Sequence, residues 1–146
     1  MTEQHLKLWV VLARAHAAIA ARAEADIARH GLTLAEFGVL EALYHKGPLL
    51  LGELQRKILV TSGGMTWLVN RLEERGLVER RACKEDGRAR YAALTRTGRR
   101  LIERIFPEHS AALADAASGL TVDEQSEAVE LLKKLGFAAS GNSKSN

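Results

Sequence analysis

The sequence predicts a mainly α-helical protein with a small β-hairpin wing: a winged helix-turn-helix flanked by N- and C-terminal dimerisation helices. Three observations predict it. Thr61 to Arg81 (TSGGMTWLVNRLEERGLVERR) carries Met65, Leu68, Val69 and Leu72 at helical spacing, so one stripe faces a core. Directly before it, LGELQRKI at 51–58 is a short helix candidate, with Leu59-Val60 as the turn between the two. Directly after it, residues 77–95 read as two strands around a turn at Lys84 to Gly87, where Asp86-Gly87 is a strong hairpin signal.

The whole chain bounds this reading. Its 146 residues make one domain with room for a core, and 47% hydrophobic with 27% charged residues is a globular composition. Aromatic content is only 5%, while alanine and leucine abound, which favours helix. The apolar runs are too short or too interrupted to span a bilayer, and the N-terminus lacks a signal-peptide pattern. One cysteine rules out an internal disulfide framework, so the cytoplasm is the expected location and no membrane partner is expected. Net charge is +3, but residues 71–104 hold eleven basic and six acidic residues against ten and twelve elsewhere. Positive charge so concentrated on a helix end, a wing and the next helix start is the footprint of a phosphate-binding surface, although such a cluster is also what a solvated face looks like.

The elements follow in order. Leu6 to Arg29 reads as one long helix ended by Gly31, apolar almost all round between Leu8 and Ala21, so it must be buried on more than one side. A partner subunit is the simplest second cover. Thr33 and Glu36 form a capping box opening a helix with Phe37, Leu40 and Leu43 (or Tyr44) inward, closed by Gly47-Pro48. Thr61 or Ser62 caps the helix after the short one, and Gly76 supplies its left-handed stop. Thr95 caps a helix from Arg96 to about Ser118 with Pro107 inside it, ended by Gly119-Leu120. Thr121 and Glu124 form a second capping box, and the last helix is expected to stop at Gly136.

Opposite the core stripe lie Gly63, Thr66, Trp67 and Asn70, with Arg71 at the flank. Small residues, hydrogen-bonding side chains and a cation are what a helix needs to approach base edges and phosphates. Gly63-Gly64, after Ser62, opens a helix and could hold an anion, here a DNA phosphate. Trp67 either packs on sugars and thymine methyls or closes a gap against Leu51 to Leu54. No phosphate loop, zinc-protease motif or nucleophile elbow is present, so no enzyme and no cofactor are expected. Of the five histidines none pairs with another at helical spacing, and His30 beside Gly31 reads as a helix C-terminal cation. Cys83 lies among Arg80, Arg81 and Lys84, a setting that favours a thiolate, yet a bystander thiol is the simpler reading.

On Ser62 to Arg81, Asp86-Gly87-Arg88 and Leu94-Thr95-Arg96-Thr97-Gly98, the chain resembles the MarR family of winged-helix transcriptional regulators. The resemblance implies a homodimer on pseudo-palindromic double-stranded DNA, often a repressor released by a small ligand or an oxidant. It makes Asp86 and Arg88 a wing-tip pair in which the carboxylate orients an arginine entering the minor groove; Asp86 is also simply a good turn residue. Arg90 and Arg96 are further candidates for the DNA backbone, while Gly87 stands where relatives commonly have arginine.

Residues 1–30 and 105–146 would form the helical dimerisation region and 31–104 the DNA-binding lobe of one compact domain, with Leu8, Val11, Leu12, Leu131, Leu132 and Leu135 in the seam. LKLWVVLARA, EFGVLEALYHKG and IFPEHS are similar to the quinone- and phenol-responsive branch, which implies an effector cleft lined by Trp9, His16, Phe37, Tyr44 and His109, although aromatics so spaced are more often core. Some members bind zinc, and a zinc-responsive regulator stays open beside a protein-interaction module without specific DNA binding.

Overall fold

Two capping boxes set where helices begin. Thr33 Oγ1 accepts the Glu36 N–H at 3.1 Å while Glu36 Oε1 accepts the Thr33 N–H at 3.1 Å, opening the second helix. Thr121 and Glu124 repeat this at the last helix, with bonds of 3.0 and 3.2 Å. The Thr121 N–H donated to Glu124 holds that carboxyl below its ordinary value of 4.5. The computed structural model describes residues 3–58, 62–85, 87–88 and 90–141. Its order is α1 (Gln4–Ala28), α2 (Leu34–Lys46), β1 (Leu49–Leu50), α3 (Leu51–Ile58), α4 (Ser62–Glu74), β2 (Val78–Ala82), β3 (Arg90–Leu94), α5 (Arg96–Ala116) and α6 (Val122–Ala139). The expected turn at Leu59-Val60, the Thr61 cap and the wing-tip Asp86 lie outside the described residues.

One core joins Ile27 of α1, Phe37 and Leu40 of α2, Leu72 of α4, and Ile102 and Ile105 of α5. α1 lies along α5, tied by Arg22 to Asp115, by Arg29 Nη2 to Glu108 Oε2 at 3.1 Å and by Asp26 Oδ2 to His109 Nδ1 at 3.3 Å. In contrast, Ala23 and Ile27 are the only buried residues of α1, and α6 buries none. The expectation that α1 needs cover on a second side is therefore left unmet within the single chain.

The expected wing hairpin is the antiparallel β2–β3 pair, and β1 joins it to make a three-stranded sheet in the order β1-β3-β2. β1 is only Leu49 and Leu50, opposite Ala92 and Tyr91, and two residues are too few to show a strand alternation in sequence. The β2–β3 register runs from Val78 opposite Leu94 to Ala82 opposite Arg90, so the connection spans 83–89, wider than the expected turn.

α4 ends at Glu74, and Gly76 takes φ +71°, the left-handed stop anticipated. The wing returns into α5 through a tight junction. Thr95 Oγ1 accepts the Gly98 N–H at 3.0 Å and donates to Gly76 O at 2.6 Å, while Thr95 N–H donates to Leu77 O at 3.1 Å. A Cβ on Gly98 would lie 2.0 Å from that same Leu77 oxygen. Helix α5 continues through Pro107 to Ala116. Gly136 does not stop α6: the helix passes through it to Ala139, and the positive-φ glycine falls at Gly141 (φ +83°). A helical glycine costs roughly 1 kcal/mol relative to alanine, too little to break a capped helix by itself.

Candidate nucleic-acid interface

The burial of Met65, Leu68, Val69 and Leu72 fixes the rotation of α4 about its axis. The positions between them must then face out, and Gly63, Thr66, Trp67, Asn70 and Arg71 are all exposed, with Gly64 partly covered. Ser62 begins the helix. Trp67 is 58% exposed, which decides against its closing a gap over α3. Instead the Arg71 guanidinium lies over its ring, 5.4 Å from the centroid.

Glu36 holds the far end of this helix from beneath. It is 1% exposed, with Oε2 3.3 Å from Arg75 Nη1 and 3.7 Å from Arg71 Nε. Arg75 Nη1 also donates to Gly31 O at 3.0 Å, so the α1–α2 elbow and the end of α4 share one clamp. A buried carboxylate is tolerated only when its lone pairs are used, and here the capping N–H and two guanidiniums use them. The sequence announced Glu36 as a cap, but its reach to α4 is a tertiary contact.

Two further arginines join the face without having been expected. Arg80 of β2 donates from Nη2 to Asn70 Oδ1 at 2.7 Å and pairs with Glu73, linking α4 to the wing. Arg56 of α3 shares a concavity of about 430 Å³ with Arg88, Arg90, Glu53 and Leu50 to Gly52. Arg90 Nη1 also donates to Gly87 O at 3.0 Å. In sequence Arg56 is merely a charge on a short amphipathic helix; the β1–β3 pairing, invisible there, brings it beside the wing. Arg96 is exposed at the start of α5, and Arg99 lies 5.4 Å over the Tyr44 ring.

In sequence and in fold the chain is similar to known proteins. A family model described as the MarR family matches residues 30–89. The HTH-type transcriptional regulator MhqR of Bacillus subtilis is 41% identical over 139 residues, which cover 95% of this chain and 96% of that protein. The chain belongs to the MarR family. The fold agrees: Sco3205 of Streptomyces coelicolor, a MarR family transcriptional regulator solved in complex with DNA, superposes with a TM-score of 0.85 at 25% identity, covering 94% of this chain and 89% of that one. The Mycobacterium tuberculosis MarR family protein Rv2887, solved with p-aminosalicylic acid, is 35% identical with a TM-score of 0.71, covering 88% and 98%. As a MarR family member the protein is a DNA-binding transcriptional regulator, not an enzyme. No helix among the described residues is long and apolar enough to cross a membrane.

The single MarR chain divides the five residues expected around an effector cleft between its interior and its surface. Phe37 and His109 fill space themselves, ring against ring at 4.6 Å in the interior. His16 is exposed, and Tyr44 lies partly buried beneath Arg99 and edge-on to His45. Trp9 is 70% exposed and lines instead a groove of about 410 Å³ with Leu8, Leu12, Leu132 and Leu135 between α1 and α6. The helix spacing that suggested convergence gave each residue's face but not which element covered it.

Leu8, Val11, Leu131, Leu132 and Leu135, expected in a dimer seam, are exposed in the single chain, and Leu12 is partly so. Cys83 is buried beside the wing, Sγ 3.8 Å from Tyr91 Oη, and this hydrogen bond raises the Tyr91 phenol above 10.0. The cationic setting expected for the thiol is weaker than its sequence neighbours implied, because Arg80 is paired with Glu73 and Arg81 donates twice to Glu79. His30 lies just past the end of α1, its backbone N–H donating to Ile27 O at 3.0 Å and its Nε2 3.2 Å from Glu108 Oε2 but out of hydrogen-bond alignment. Among the described residues no group of three or more His, Cys, Asp or Glu could hold a metal ion.

Proposed function

We propose that the protein acts in the cytoplasm as a homodimeric repressor that reads a pseudo-palindromic operator and is released by a small phenolic or quinone-like effector. Residues 31–104 form its DNA-binding lobe, and residues 1–30 with 105–146 its dimerisation region. The carrying observation is the outward face of α4, where Thr66, Trp67, Asn70 and Arg71 are exposed and Arg80 of the wing reaches Asn70. Ser62, Gly63 and Gly64 at the helix start approach a phosphate, Arg71 and Arg96 add backbone contacts, and Arg88 and Arg90 follow the wing into the adjacent groove, where the family resemblance pairs Asp86 with Arg88. Two lobes in one dimer present two such helices to successive half-sites.

Operator fragments selected from genomic DNA test the reading. Affinity is expected to fall steeply with salt, because each neutralised phosphate releases counterions. Arg96→Ala should weaken all sequences alike and reduce the salt slope by about one contact. Binding that ignores salt would overturn the electrostatic face and favour a protein-interaction module.

An aromatic effector is supported by the p-aminosalicylic acid complex of Rv2887. Such a ligand shifts lobe spacing only by its differential affinity for the two spacings, about 1.4 kcal/mol for tenfold release. Cys83→Ser distinguishes this from thiol sensing: the variant is expected to bind operator and to be released by phenols as the wild type is. A variant that binds yet answers no wild-type effector would assign the switch to the sulfur.

A further inference from the structure

Resting on the DNA-binding face proposed above, one contact restricts what that face can read. Arg80 Nη2 lies 2.7 Å from Asn70 Oδ1, and the same guanidinium is anchored through Nη1 on Glu73. A guanidinium has donors only, so the carboxamide atom turned toward it must be the oxygen, and the amide nitrogen occupies the other branch. An asparagine that reads adenine does so with both branches, the oxygen accepting from N6 and the nitrogen donating to N7. With its oxygen drawn to Arg80, Asn70 meets DNA chiefly as a donor. We propose that Arg80 is a specificity-determining residue: by holding Asn70 Oδ1 it makes the α4 face select an acceptor-only base edge, that of guanine with its N7 and O6, in place of adenine.

The geometry favours a standing arrangement. Glu73 is one turn along α4 from Asn70, so both partners of Arg80 belong to the same helix and move with it. The Arg80 side chain is 23% exposed and Glu73 35%, enough cover to limit competition from solvent for the pair. Asn70 itself is exposed, so the amide branch is open to a groove.

A randomised half-site library, selected with wild type, Asn70→Ala, Arg80→Met and Arg80→Lys, tests the inference. Asn70→Ala flattens the profile at one base pair and thereby locates the contact. At that pair the wild type is expected to take guanine over adenine by about tenfold, the scale of one good base contact. Arg80→Met frees the carboxamide and should move that preference toward adenine with the other positions unchanged. Arg80→Lys keeps a donor beside Oδ1 and should keep guanine, whereas a purely structural role would show as equal weakening at every position. A wild-type preference for adenine at this pair, or an Arg80→Met profile identical to the wild type, overturns the inference. So does an Asn70→Ala protein that still selects the full site; a wild type that selects no site at all would instead bring down the DNA-binding reading with it.

Discussion

Leu132→Asp is expected to give a monomer by sedimentation, with affinity for a full operator lower by about 100-fold, since two tethered half-site contacts become one. The argument rests on where the side chain lies. Leu132 is 48% exposed in the single chain, so a carboxylate there costs the isolated fold little. In the proposed dimer the same position is covered, and an unpaired charge removed from water is costly. Leu132 shares its groove with Leu8, Trp9, Leu12 and Leu135, so one change reaches the α1 and α6 surfaces together. Helix α6 has no fully buried residue in the single chain, and helices in proteins owe most of their stability to tertiary packing. Loss of the partner should therefore also appear as reduced helix content, while the wing lobe keeps its own melting transition. A variant that remains a dimer would place the interface elsewhere.

Gly98→Ala is expected to lower stability by about 3 kcal/mol, at the upper end of overpacking costs, and the melting temperature by roughly 10 °C. Helix propensity alone predicts the opposite sign, because alanine is favoured over glycine in a helix by roughly 1 kcal/mol. The clash decides. The new Cβ would meet Leu77 O at 2.0 Å and Leu77 C at 2.9 Å, and both are backbone atoms that cannot rotate away. Relief would pull α5 from the wing and break the Thr95 N–H bond to the same oxygen. A melting temperature at or above that of the wild type would show that the junction relaxes freely.

The order of helices, both capping boxes and the inward stripe of α4 were legible because each depends on local rules. A threonine three residues before a glutamate satisfies its own backbone donors wherever the helix ends up, as Thr33 and Thr121 do. The outward set Gly63, Thr66, Trp67 and Asn70 followed from the same periodicity once the core face was known. Gly136 lies inside α6 and the left-handed glycine is Gly141, since a glycine ends a helix only where a left-handed residue is needed.

What the sequence by itself determined about this protein is the set of elements, the face each turns to the core, and the family to which its motifs belong. What only the tertiary structure decided are the contacts between residues far apart in the chain. The clamp of Glu36 on Arg71 and Arg75, the grip of Arg80 on Asn70, and the meeting of Arg56 with Arg88 and Arg90 are of this kind. So is the division of the expected cleft residues between the interior, where Phe37 meets His109, and the surface, where Trp9 and His16 lie. The physical reason is one of range: capping and periodicity act within a few residues along one element, whereas the pairing of β1 with β3 and the packing of α1 on α5 depend on the whole core closing at once.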